Sequence, residues 1–178
     1  MKFDVMPVAT EKQIEEIEAV ASLAWQECSA GLLYSEKQNT DLFDEMHSKE
    51  SMKRLMQAGQ IYYMLLADNQ LAGYLAFRNN GTSIFLYILY IKPAFRRKGL
   101  GRKALEHFDK MLSGDEFRHI RKLTLRVPQS YPQVIHILKH LDFQITKTFD
   151  GQSDRGHPLN EYVMERKIKR SQAIDYGK

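Results

Sequence analysis

The run Ser83–Ile91 (Ser-Ile-Phe-Leu-Tyr-Ile-Leu-Tyr-Ile) constrains the fold more than any other stretch of these 178 residues. It is too short for a membrane span and too rich in β-branched and aromatic side chains for a surface helix. Its apolarity does not alternate, so both faces must be covered, and the run predicts a central strand. Directly behind it comes Lys92-Pro-Ala-Phe-Arg-Arg-Lys-Gly-Leu-Gly-Arg-Lys103, where two glycines lie among six cations, five of them within 96–103. Next, Ala104, Leu105, Phe108, Met111 and Leu112 recur at helical spacing, predicting an amphipathic helix over 99–112. A central strand, a basic glycine loop and a helix therefore follow in sequence.

Patterns elsewhere extend this unit into an α/β layer structure with a mixed sheet. Residues 2–8 read as a first strand. Thr10 caps a helix with Ile14, Ile17, Ala21, Ala24 and Cys28 on one face and Gly31 at its end. A broken helical stretch covers about 41–58 and stops at Gly59. Strands are expected at 61–67 and 70–78, joined by Asp68-Asn69, and Asn80-Gly81 is a second hairpin turn. Leu123, Leu125 and Val127 alternate as a strand; a helix over 133–141 and strands at 143–149 and 160–167 complete the order. No repeat or linker interrupts the chain, which predicts one domain over 1–168 and a polar, frayed tail over 169–178.

The net charge of +4 is unevenly spread. Residues 1–60 hold eleven acids against six bases, a balance of −5, while residues 91–126 hold eleven bases against four acids, +7. A basic middle suits a phosphate-bearing ligand and an acidic start suits a cationic partner, although two solvated helix faces would read the same way. A single cysteine, Cys28, excludes an internal disulfide and multi-cysteine metal sites. The N-terminal residues lack a signal peptide's apolar core. These features predict a cytoplasmic protein.

Glycines at a helix start let backbone approach a ligand, and the first-turn N–H groups lack partners within the helix. Together with the helix dipole and the flanking cations, they make the 96–103 loop a pyrophosphate cradle by composition and position. Gly99-Leu-Gly101-Arg-Lys-Ala104 also fits the dinucleotide pattern G-x-G-x-x-A, but several residues separate Ile91 from Gly99 and the next strand does not end on an acid. The Walker pattern is absent. A purely structural basic loop is the plainer alternative.

Arg96-Arg-Lys-Gly-Leu-Gly101 resembles the R/Q-x-x-G-x-G/A signature of the GNAT N-acetyltransferase superfamily, and the flanking elements resemble it too. Three phrases resemble its polyamine-acetylating PaiA-type branch: Tyr34-Ser-Glu-Lys-Gln38, Gly59-Gln-Ile-Tyr-Tyr63 and Asn160-Glu-Tyr-Val-Met-Glu165. The resemblance implies a splayed, mixed sheet of six to seven strands with about four helices, and acetyl-CoA as co-substrate without a metal. Leu89, Tyr90 and Ile91 would pair with the pantetheine arm. Backbone amides from Arg97 through Lys98, Gly99, Leu100 and Gly101 to Arg102 would hold the pyrophosphate, with the side chains of Arg96, Arg97 and Lys98 available to the phosphates and Lys103 beside them. An amine would attack the thioester directly while a central-strand N–H polarises its carbonyl.

The family segment N-x-x-A-x-x-x-Y-x-x-x-G-F, aligned on Phe143, falls here on Tyr131, Val134, Leu138 and Asp142. Leu138 thus stands where the family commonly has the tyrosine that protonates the thiolate, and Tyr131 stands where it has a CoA-contacting asparagine. Tyr90 and Tyr131 are the substitute acid candidates; Glu36 and Glu161 are candidate bases, and water could also take the proton. His136 and His140 share the i, i+4 spacing of zinc ligands without a third ligand, and Trp25 reads as core. The expected partner is a small amine such as a polyamine, with no nucleic acid or membrane; a homodimer is compatible. A protein lysine or N-terminus as acceptor, a non-catalytic CoA-binding module and a nucleic-acid binder are the competing readings.

Overall fold

A computed structural model describes residues 1–30 and 34–169. The expected stop at Gly31 and the tail beyond residue 169 lie outside the described residues. Strand β1 (Phe3–Pro7) leads into α1 (Glu11–Ser29), whose first turn is closed by a reciprocal box between Thr10 and Gln13. Ser35 caps α2 (Glu36–Met46) and Ser48 caps α3 (Lys49–Gln57). The broken stretch is therefore two capped helices, the first starting before residue 41. Among the described residues there are five α-helices, close to the about four expected, because the serine side chains satisfy two separate sets of first-turn N–H groups.

Strands β2 (Ile61–Ala67), β3 (Gln70–Asn79) and β4 (Ser83–Ile91) form an antiparallel meander. Asp68 and Asn69, at φ 47° and 63°, make the first hairpin turn. After α4 (Leu100–Met111) come β5 (Lys122–Pro128), α5 (Pro132–His140), β6 (Gln144–Gln152) and β7 (Pro158–Lys167). Sheet order is β1-β2-β3-β4-β5-β7-β6, and β4 is the middle strand.

Both faces of β4 are covered. Ile84 and Leu86 join α4 and α5 in a core with Phe108, Ile120, Leu123 and Phe143, while Ile88 and Tyr90 pack with α1 and α3 around Ile17, Met52 and Tyr74. A register shift makes this possible. Phe77 pairs Leu86 but Ala76 pairs Ile88, which leaves Tyr87 without an opposite residue on β3. The extra residue reverses which face the following side chains take, so Tyr90 turns toward α1.

The single parallel pairing in the sheet is brief. β4 and β5 meet only from Ser83–Phe85 to Lys122–Thr124, whereas β5 stays paired with β7 along its whole length. Beyond Phe85 the two half-sheets therefore diverge, as a splayed sheet must.

Candidate active site

Lys92 N–H bonds to Ala72 O across the β3–β4 ladder. Antiparallel alternation then turns the N–H and C=O groups of Leu89 and Ile91 away from β3, toward the gap where β5 has departed. A strand edge opens onto a wedge-shaped cleft at the point where the basic loop begins. Gly73 keeps the ladder tight here: a Cβ on it would lie 2.0 Å from Tyr90 O.

Past Ile91 the chain makes a 3₁₀ turn over Pro93–Phe95 and reaches Arg97 at φ 59° and Gly99 at φ 73°, the N-cap of α4. A Cβ at Gly99 or Gly101 would meet no atom within 4 Å, so both glycines face open space at the helix start. That space, with free first-turn amides and the exposed Arg97, Lys98, Arg102 and Lys103 around it, fits a pyrophosphate. Leu100 is 2 % exposed and packs with Ala67 and Ala72, leaving only its backbone for a ligand. Lys98 Nζ also reaches Ala94 O at 3.0 Å.

Arg96 is oriented differently. Its Nε donates to Ile91 O at 2.9 Å and its guanidinium grips both carboxylate oxygens of Glu27 on α1, Nη2 to Oε2 at 2.7 Å. The Tyr90 hydroxyl donates to the same carboxylate at 2.9 Å, and the guanidinium stacks on the Tyr90 ring, 5.4 Å from its centre. Arg96 holds the Glu27 carboxyl below its ordinary range, while burial and the Glu27 hydrogen bond push Tyr90 up to about 12. Tyr90 keeps its proton across the physiological range. Sequence reasoning missed Glu27, yet an acid in the last turn of a helix, where the dipole disfavours it, was a signal that a cation stands nearby.

The sequence matches the profile of the acetyltransferase (GNAT) domain over residues 32–131, more than half of the chain. This chain belongs to the GNAT acetyltransferase family. As an acetyl-CoA-dependent N-acetyltransferase it takes acetyl-CoA as co-substrate. Among solved structures, it resembles the PaiA N-acetyltransferase from Thermoplasma acidophilum in complex with coenzyme A, with a TM-score of 0.71 and 21% identity over 94% of this chain and 99% of that one. It also resembles the ribosomal-protein-S18-alanine N-acetyltransferase from Escherichia coli (TM-score 0.63, 17% identity, 99% and 100% covered) and an acetyltransferase from Thermus thermophilus (TM-score 0.63, 21% identity, 94% and 98% covered). At these identities the likeness is one of fold. No curated protein sequence matches the chain.

The acetyltransferase keeps a left-handed residue at the position where the family segment has glycine: Asp142 sits at φ 67°, next to the fully buried Phe143. Leu138, four residues before Asp142, is partly buried and packs against the core, as Leu141 does. Tyr131 is the N-cap of α5, half-buried, with its hydroxyl pushed up by burial and by the neighbouring Cys28 and Tyr34. Glu36 lies apart, exposed in the first turn of α2, where its charge favours the helix start.

Much of the acidity of residues 1–60, which in sequence suits a cationic partner, is paired with bases of the same chain. Glu11 and Glu15 hold Lys49 at 2.9 and 2.6 Å, Glu18 accepts Lys49 N–H, Glu27 holds Arg96, and Asp41 and Glu45 bind the β6–β7 turn. The His136 and His140 rings meet at a tilt, 4.3 Å between centres, and among the described residues no three metal-ligating side chains converge. No described helix is long and apolar enough to cross a membrane.

Proposed function

We propose that the protein acetylates a small cationic primary amine, a polyamine being the representative case, by direct attack within a ternary complex in the cytoplasm. The observation that carries this reading is the wedge between β4 and β5, with the Leu89 and Ile91 backbone on one wall, while the Tyr90 side chain turns toward α1. A pantetheine arm would add to the free edge of β4 as a strand. Its pyrophosphate would lie on the amides from Arg97 to Arg102. Arg96 serves this arrangement as a brace between the loop and α1, and Arg97, Lys98 and Lys103 supply the mobile positive charge.

The thioester supplies an activated acyl group, and the chain's own groups handle protons and charge. A backbone N–H on β4 would polarise the acyl oxygen. Tyr90, which stays protonated and whose O–H rests on Glu27, is the group we assign to turn that proton from the carboxylate to the departing sulfur, the role Leu138 cannot fill. The test is thiol release from acetyl-CoA across a panel of amines at two ionic strengths. Spermidine should exceed a neutral aryl amine in kcat/KM by at least tenfold, and added salt should narrow the difference. Equal kcat/KM for both, insensitive to salt, would overturn the cationic acceptor. Acetyl-CoA binding without turnover on any amine would overturn the catalytic reading.

A further inference from the structure

Resting on that reading, we propose that Glu161 receives the acceptor's ammonium group and takes its first proton. Glu161 lies on β7 opposite Pro128 of β5 and Phe149 of β6, at the end of β5 that diverges from β4. Its side chain is 15% exposed, and Oε2 is sealed from solvent with no hydrogen-bond donor aimed at it. Among the described residues it is the one buried carboxylate oxygen in that state. A buried acceptor left without a donor is costly, and more so when charged, so this oxygen calls for a donor that the acceptor substrate brings.

The surroundings select the donor. Arg126 Nε stands 3.3 Å from Oε2 but is not aligned to bond it; the guanidinium lies flat on Phe149 at 4.1 Å and near Phe85 at 5.6 Å. Arg126 therefore keeps the carboxylate ionised without filling its lone pairs. From the other side comes Tyr34, whose hydroxyl is pushed up by burial and by the charge of Glu161 and which stacks on Trp25 at 6.4 Å. Burial and the charges of Cys28 and Tyr34 in turn push the Tyr131 hydroxyl up. Aromatic walls around one carboxylate suit an aliphatic ammonium with its methylene chain.

A clamp holds this arrangement shut. Glu45 on α2 accepts the N–H groups of Asp154 and Arg155 at 3.2 and 3.0 Å, and Asp41 binds Arg155 and His157 Nε2 at 2.6 and 3.0 Å. The β6–β7 turn is thereby fixed on α2, which begins just after Tyr34. Burial raises the Glu161 carboxyl above its ordinary range, toward the pH at which a base works, while Arg126 from β5 limits that rise.

Atoms and electrons balance through the transfer. The ammonium gives one proton to the Glu161 carboxylate, and the freed nitrogen lone pair bonds the thioester carbon. The C–S bond then breaks, the sulfur keeping its electron pair, and the second nitrogen proton ends on the thiolate directly or by way of Tyr90. Glu161 returns its proton to solvent.

The test is Glu161→Gln, which keeps shape and removes basicity. At pH 7 kcat/KM for spermidine should fall about 10²-fold or more, with acetyl-CoA affinity unchanged by calorimetry. The parent's acidic limb in the pH–rate profile should give way to a rate that climbs tenfold per pH unit as free amine accumulates. Arg126→Met should shift the parent's limb upward in pH, a change that a merely structural glutamate would not produce. Unchanged kcat/KM and an unchanged acidic limb in Glu161→Gln, with the parent active, would overturn this assignment alone. A parent that binds acetyl-CoA but acetylates no amine would overturn the functional reading and this proposal with it.

Discussion

The guanidinium of Arg96 and the carboxylate of Glu27 form a two-point ion pair that joins the phosphate-loop signature to α1 across 69 residues of sequence. Both side chains are about two-fifths exposed, so water screens the pair and its worth is ~1 kcal/mol. Glu27→Gln should raise KM for acetyl-CoA about three- to tenfold by loosening the start of the loop, and Glu27→Asp should recover part of the loss. Steady-state kinetics with acetyl-CoA varied is the check. An unaltered KM in Glu27→Gln would show that the loop holds its shape without α1.

Tyr90 is the acid this geometry selects, and Tyr131 the weaker candidate. Tyr90→Phe should lower kcat by ~10²-fold, within the usual range for a positioned acid, and Tyr131→Phe by less than tenfold. Introducing Leu138→Tyr into the Tyr90→Phe variant should restore part of kcat. Because Leu138 packs on the core, Leu138→Ala should cost ~2 kcal/mol of stability while kcat stays within a few-fold. A kcat collapse in a folded, CoA-binding Leu138→Ala variant would mean that the leucine itself shapes the chemistry.

Two glycines separate fold from ligand. Gly73→Ala drives a methyl into Tyr90 O, 2.0 Å away in a buried ladder, and should destabilise the protein by at least ~3 kcal/mol. Gly101→Val meets nothing within 4 Å; the melting temperature should move only a few degrees while CoA affinity drops more than tenfold. Calorimetric CoA titration beside thermal unfolding reads both. If Gly101→Val binds CoA as the parent does, the cradle lies elsewhere.

His47 should set part of the pH dependence of stability. It sits between Trp25 and Phe43, 5.5 and 6.0 Å away ring to ring, and burial lowers it from 6.5 to about 4. Its folded value lies below its unfolded one, so the unfolded chain takes up the proton first. The contribution is intact above pH ~6.5 and is lost as pH falls toward 4, on the order of 2 kcal/mol. Denaturant midpoints at pH 7.5 and 4.5 should differ less in His47→Phe than in the parent. Equal pH slopes in the two proteins would exonerate His47.

What the sequence determined is everything that local chemistry decides. Serine and threonine caps start the helices, alternation and apolar runs make the strands, and glycines open α4 because left-handed φ and a bare Cα are properties of a single residue. The signature loop was legible for that reason, and so was the departure at Leu138. The division of residues 41–58 was half-legible, since Ser48 competes with a continuous helix only once α2 and α3 pack in different directions. Tertiary structure alone decided the cleft. β4 and β5 separate after three residue pairs because β5 finds a fuller partner in β7, and no pattern within either strand records that choice. It also committed Arg96 to Glu27, paired much of the acidity of residues 1–60 with bases of the same chain, and left Glu161 without a donor beside Arg126. Each is a contact between residues tens of positions apart, where charge is visible in the sequence but its partner is set by packing.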